Sequence, residues 1–176
     1  LVADLGDLVV RLYNAFNRYD SEAAKLASVQ LPLSQNQRLG ITFLKDPSAL
    51  FDALHILSEG HIRCLGLAIL LAKNVKERCP VLIFDEVDAN VGGETAHAVG
   101  ERMRQIAKQR QVLCITHLAP VAAVAQTHYV VSKSVIDGRT ESNIQKLTNN
   151  DRVDEIARML GGKVGAARQH AEELMK

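Results

Sequence analysis

The chain has 176 residues, 47% hydrophobic and 23% charged, which is the composition of an ordinary globular protein of about one domain. Lysine plus arginine total 21 against 20 for aspartate plus glutamate, and this net charge of +1 excludes a polybasic tail or an acidic solvating chain. Tryptophan is absent and aromatic residues make up 4%, which argues against a base-stacking platform, and no run reaches the roughly 18 apolar residues of a membrane span.

Leu5, Leu8, Val9, Leu12 and Phe16 recur at helical spacing and predict an amphipathic helix over 5–16. Residues 21–28 read as a continuation of helix. Pro32 and Pro47 punctuate the next stretch, in which Leu39 to Leu44 reads as a strand. From Ile62 to Ala72 only Arg63 interrupts an apolar run too long for a strand. With Ser58 placed to cap its start, that run predicts a helix buried on most sides. Val81 to Phe84 is short and wholly apolar, the pattern of a strand buried on both faces of a parallel sheet. Ala96, Val99, Met103 and Ile106 then set an amphipathic helix over 94–110. Val112 to Ile115 reads as a second buried strand, 120–125 as a short helix and Tyr129 to Val131 as a third strand. Asp137-Gly138 signals a hairpin turn, with 143–147 returning. Helices over 152–160 and 166–175, separated by Gly161-Gly162, complete an α/β fold with a parallel-sheet core and a C-terminal hairpin.

The opening Leu1-Val2-Ala3-Asp4 lacks the basic start of a signal peptide. Cys64, Cys79 and Cys114 form no closely spaced pair, and together these features fit a cytoplasmic protein with reduced thiols.

Three features bear on chemistry, because open parallel sheets collect ligands at the carboxyl ends of their strands. Asp85-Glu86 follows the Val81–Phe84 strand. An acid pair there either caps a loop or serves phosphoryl transfer, Asp85 holding Mg²⁺ and Glu86 orienting or deprotonating an attacking water. Thr116-His117 ends the next strand, where His117 is either a satisfied loop histidine or a donor to a phosphate oxygen. Leu57-Ser58-Glu59-Gly60-His61 opens the long apolar helix. Its free backbone N–H groups and dipole suit an anion, Gly60 permits close approach, and Ser58 adds a hydroxyl or simply caps the helix.

In that order, the three features resemble the C-terminal lobe of an ABC-type ATPase head of the SMC and RecN kind, a P-loop NTPase-like fold. Leu57 to His61 resembles the ABC signature, Val81 to Glu86 the Walker B strand, Asp88 the D-loop residue and His117 the switch histidine. The stretches LIFDEVDANVGGETAHAVGERM, QVLCITHLAPVAAVAQTHYVVSK and DRVDEIARMLGG are similar to RecN-type sequences, and the resemblance runs from Val81 to Met175. It implies ATP and Mg²⁺ as cofactors. Glu86 and His117 would be catalytic, Ser58, Gly60 and Asp88 would contact nucleotide, and Asp85 would hold the metal. It further implies action in DNA double-strand break repair and recombination, at the nucleoid in the cytoplasm and without a membrane. The implied partners are DNA, an N-terminal lobe carrying Walker A, and a second head joined by ATP-dependent dimerisation. Residues 1–28 would be the end of a coiled-coil arm and 29–176 the ABC-type lobe.

The sequence also departs from that pattern. Glu59 stands where the first of two signature glycines is usual, and its carboxylate would repel a phosphate unless it points away. Cys64 replaces the usual arginine, with Arg63 one place early. No Gly-x-x-x-x-Gly-Lys-Ser/Thr loop is present. Gly161-Gly162-Lys163-Val164 is the near miss and reads as a helix C-cap. Arg102, Arg104, Lys108 and Arg110 interleave with Glu101 and Gln105, a solvated face rather than a DNA track, so DNA is implied by resemblance alone. The competing readings are another SMC-family head and a non-catalytic interaction module with the same fold. Retention of both Glu86 and His117 argues against the latter.

Overall fold

The computed structural model describes residues 2–76, 80–86, 91–162 and 165–176. These form two units, Leu1–Thr116 and His117–Lys176.

In the first unit, helix α1 (Val2–Phe16) buries Val9, Leu12, Tyr13 and Phe16, a stripe at steps of three and four that makes it amphipathic. It packs on the later helix over residues 59–76 and on strand β1 (Leu26–Gln30). The Asn14 amide clamps the start of β1, donating to the Leu26 carbonyl and accepting from the Leu26 N–H, both at 2.9 Å. Strand β1 pairs antiparallel with β2 (Gly40–Phe43), which pairs in turn with β3 (Asp46–Asp52). Helical continuation over 21–28 is therefore corrected: Glu22–Ala24 is one 3-10 turn, and from Leu26 the chain is strand. A bulge between Leu26 and Ser28 buries Leu26 and Val29 together, so a strand imitates helical spacing.

Asp52 caps the short helix α2 (Ala53–Ile56), and Leu57-Ser58 leads into α3 (Glu59–Lys76). Helix α3 buries Cys64, Leu65, Leu67, Ala68, Leu71 and Ala72. Strands β4 (Val81–Asp85) and β5 (Gln111–Ile115) pair in parallel, and α4 (Gly93–Ala107) is the crossover between them. Arg110 fixes the approach to β5 by donating to the Asn74 carbonyl near the end of α3. Burial of β4 and β5 on both faces is the second correction. Leu82 and Phe84 are buried, but Ile83, Leu113 and Ile115 on the opposite face are 67%, 48% and 58% exposed. Among the described residues the parallel sheet has these two strands.

In the second unit, α5 (Ala119–Ala123), α6 (Asn149–Met159) and α7 (Ala166–Leu174) bury Ala119, Ala122, Ala123, Ile156, Ala157 and Ala171 together. Thr148 and Asp151 form a reciprocal capping box at the start of α6. At its end, Gly161 (φ +96°) donates to the Arg158 carbonyl and Gly162 to the Ala157 carbonyl, a Schellman stop. Gly161-Gly162 is thus the C-cap expected from sequence. Strands β6 (Tyr129–Ile136) and β7 (Arg139–Lys146) form a separate antiparallel hairpin, turned by Asp137 and Gly138 at φ +50° and +73°. No described helix is long and apolar enough to cross a membrane.

Candidate functional site

The parallel pair carries the first group of candidate residues. Alternation along β4 puts Val81, Ile83 and Asp85 on one face. The register Ile83–Leu113 and Asp85–Ile115 adds Leu113 and Ile115 to it. Asp85 therefore stands at the carboxyl end of the strand, on the uncovered apolar face. Glu86 follows at φ +47°, left-handed backbone that a non-glycine residue adopts at a cost of about 1–2 kcal/mol. Its N–H donates to the Ile115 carbonyl at 3.0 Å, continuing the ladder one residue past the strand. Strain of this kind persists where surrounding contacts over-determine the backbone, and it clusters at functional sites. The turn carries the Glu86 side chain, exposed, off the strand end.

The start of α3 carries the second group. Ser58 Oγ lies 2.7 Å from His61 Nδ1 and accepts from the His61 backbone N–H at 3.3 Å, so it caps the helix as expected. The other ring nitrogen, Nε2, donates to Asp20 Oδ2 at 2.7 Å. The Tyr13 ring lies 6.2 Å from that of His61, centroid to centroid. Ser58, Gly60, His61 and Asp20 line a concavity of about 230 Å³, to which α4 contributes Thr95 and its N-cap Gly92. The Glu59 carboxylate meets the Arg63 guanidinium at 3.1 Å, one turn along the helix. This pairing answers the sequence's concern that Glu59 would oppose an anion. Exposed i,i+4 pairs contribute only about 0.3–0.5 kcal/mol, so their importance here lies in direction rather than stability.

Burial pushes the Cys64 thiol up to about 11, and the Asp20 carboxylate adds to this. Burial, with Cys64 and Asp20 contributing, likewise raises the Tyr13 phenol. Both groups are therefore neutral near pH 7, and Asp20 supplies the charge that faces His61.

The structure thus gathers Ser58 and Gly60 in one concavity, and places Asp85 and Glu86 at the end of β4 beside Ile115. His117 is exposed and is the first residue of the second unit. Asp88, like Cys79, lies outside the described residues. On α4, Arg104 pairs with Glu101 and Arg102 bonds Gln105, consistent with a solvated face, whereas Arg110 in the turn after it departs from that expectation, being half-buried and tied to the Asn74 carbonyl. Sequence reasoning missed Asp20. It lies 41 residues from His61, and no short-range spacing links the two. The Ser58–His61 step of three at a helix start was the available signal.

Residues 3–122 match the family described as AAA domain, putative AbiEii toxin, Type IV TA system. The DNA repair protein RecN of Xylella fastidiosa is 47% identical over 116 residues, 66% of this chain and 21% of that protein. RecN of Deinococcus radiodurans is 53% identical over 97 residues, 54% of this chain and 17% of that protein. RecN of Bacillus subtilis is 38% identical over 123 residues, 69% of this chain and 21% of that protein. The chain spans about a fifth of the length of these relatives. Among solved structures, the Smc head domain with a coiled coil and joint from Pyrococcus yayanosii superposes with a TM-score of 0.62. It is 17% identical, and the match covers 98% of this chain and 29% of that one. A chain solved in work on ATP-driven dimerisation and DNA-stimulated activation of SMC ATPases gives a TM-score of 0.61 at 20% identity, covering 90% of this chain and 94% of that one. The fold is that of an SMC-type ATPase head, mixed α/β with a parallel sheet.

Proposed function

We propose that this chain, which belongs to the AAA-domain family matched over residues 3–122, is the C-terminal half of a RecN-like ATPase head acting in DNA double-strand break repair. The observation that carries this reading is the end of β4. There an acid on the sheet face is followed by a second acid held in left-handed backbone against the neighbouring parallel strand. Asp85 would hold Mg²⁺ and Glu86 would take the proton of the attacking water. His117 would donate to a phosphate oxygen, and Ser58, Gly60 and Asp88 would meet nucleotide. Bound Mg²⁺ would neutralise charge on the transferring phosphoryl group. The oxygen donor of Asp85 suits such a hard cation.

The sequence carries no phosphate loop, so a second lobe must supply one. Its contact surface on this reading is the face of Val81, Ile83, Leu113 and Ile115. Parallel strands are almost always covered on both faces, and full burial of one aliphatic side chain contributes about 1.5–3 kcal/mol. Two completed heads would then join around ATP, the signature of each meeting the γ-phosphate held by the other. RecN relatives support DNA as the ultimate substrate.

The test is reconstitution. This chain is mixed with a Walker A-bearing lobe, and ATP hydrolysis is measured with and without Glu86→Gln. Hydrolysis by the pair, lost in the variant by about 10²–10⁴-fold with nucleotide binding retained, is the expected result. Equal rates would remove Glu86 as base, and a pair that binds without any hydrolysis would leave the interaction-module reading.

A further inference from the structure

The side chains of Asp20, His61 and Ser58, all lining the concavity, form a line of two short hydrogen bonds that ends on a hydroxyl. We propose that Asp20 and His61 are positioning residues that aim the Ser58 hydroxyl, so that a phosphate oxygen binds there together with one proton taken up by His61. The inference rests on the reading above that Ser58 meets the triphosphate of an opposing head.

The positions of the protons on the ring decide where the Ser58 O–H points. Asp20 accepts from Nε2–H, which leaves Nδ1 as the atom that changes. In the neutral ring Nδ1 carries a lone pair, and the Ser58 O–H must donate inward to it. The hydroxyl then turns only oxygen lone pairs toward the concavity, and these repel an anion. In the imidazolium ring Nδ1–H donates to Ser58 Oγ, and the O–H rotates outward to donate to a phosphate oxygen. An anion at Ser58 therefore selects the charged ring, and by linkage its affinity falls as pH rises.

The groups facing the ring are consistent with this. Asp20 from the loop after α1 turns its carboxyl group to Nε2 at 2.7 Å. Tyr13 of α1 and Cys64 of α3 are buried and neutral. From α4 the concavity receives Thr95, which does not titrate. Glu59 and Arg63 on α3 neutralise each other.

Two measurements test the proposal and separate its failure from that of the underlying reading. Nitrogen NMR of the histidines in this chain should show neutral His61 with its proton on Nε2, and Asp20→Asn should weaken that preference. A neutral ring with its proton on Nδ1 overturns the proposal without touching the ATPase reading. Next, the completed head carrying Glu86→Gln is assembled with ATP, and dimerisation is followed across about pH 6 to about pH 8, where histidine loses its charge. The wild-type signature should weaken at least about fivefold over that range, since one linked proton gives up to about tenfold per pH unit. His61→Gln, whose amide also reaches Ser58 but does not titrate, should flatten the profile, and Asp20→Asn should displace it to lower pH. A flat wild-type profile, or an unchanged one in His61→Gln, overturns the proposal. Absence of an ATP-dependent dimer at every pH overturns the signature reading and this inference with it, whatever the NMR result.

Discussion

The backbone N–H of Glu86 donates to the carbonyl oxygen of Ile115 at 3.0 Å, joining the turn after β4 to the last residue of β5. That bond holds Glu86 at φ +47°. The acid proposed as general base is thus positioned by the sheet rather than by a flexible loop. The same constraint carries a conformational cost.

Glu86→Gly should release that cost. Left-handed backbone costs a non-glycine residue about 1–2 kcal/mol, and glycine returns about 0.5–1 kcal/mol of this as unfolded-state entropy. Urea unfolding of this chain should therefore show a gain of up to about 1 kcal/mol for Glu86→Gly and none for Glu86→Ala, while both abolish hydrolysis in the completed head. A Glu86→Gly variant less stable than Glu86→Ala by about 0.5–1 kcal/mol, the entropy term alone, would mean that the turn is unstrained.

The uncovered face of the parallel pair should separate folding from assembly. Ile83→Lys and Leu113→Glu replace side chains that are 67% and 48% exposed, so each should change the stability of this chain by no more than about 0.5 kcal/mol. Each should prevent co-purification with the Walker A-bearing lobe. Variants that still capture the lobe would show that it docks elsewhere.

By itself the chain should bind Mg²⁺–ATP weakly or not at all, because no run of backbone N–H groups between two glycines cradles the α- and β-phosphates. Calorimetry should detect no saturable heat. A saturable, magnesium-dependent isotherm would require another phosphate site.

Alkali should unfold the first unit early. Cys64 rises from an ordinary 9.0 to about 11 on folding, and Tyr13 also rises, so the folded state holds both protons more tightly. The Cys64 contribution is complete below pH 9.0 and is lost as pH climbs through about 11, on the order of 2 kcal/mol, and that of Tyr13 is lost at still higher pH. Denaturant midpoints measured from pH 8 to 11 should fall over that window, and Cys64→Ala should make the fall shallower. A flat profile would contradict the burial of Cys64.

Much of this was legible in the sequence, for physical reasons. Leu5, Leu8, Val9, Leu12 and Phe16 repeat with one period over about three turns, and Val81 to Phe84 is too short and too apolar to be anything but strand. Asp137-Gly138 needs positive φ at both residues, which few other pairs accept. The strand over 26–30 was not legible, because its bulge gives Leu26 and Val29 a helical interval. Nor was the bare face of β4, since an apolar strand looks the same whether or not its cover lies in the same chain. At the site, Asp85, Glu86 and Ser58 stand out by position in local elements. Asp20 does not, because only the packing of α1 on α3 brings it to His61.

The most direct test of the central claim is light scattering of the completed head carrying Glu86→Gln, with ATP, with ADP and without nucleotide. The account predicts a dimer with ATP alone, and its loss in Ser58→Arg, whose long cationic side chain would fill the approach to the α3 N-terminus and remove the hydroxyl. A head that remains monomeric with ATP, or a dimer that forms equally well with Ser58→Arg, would contradict it.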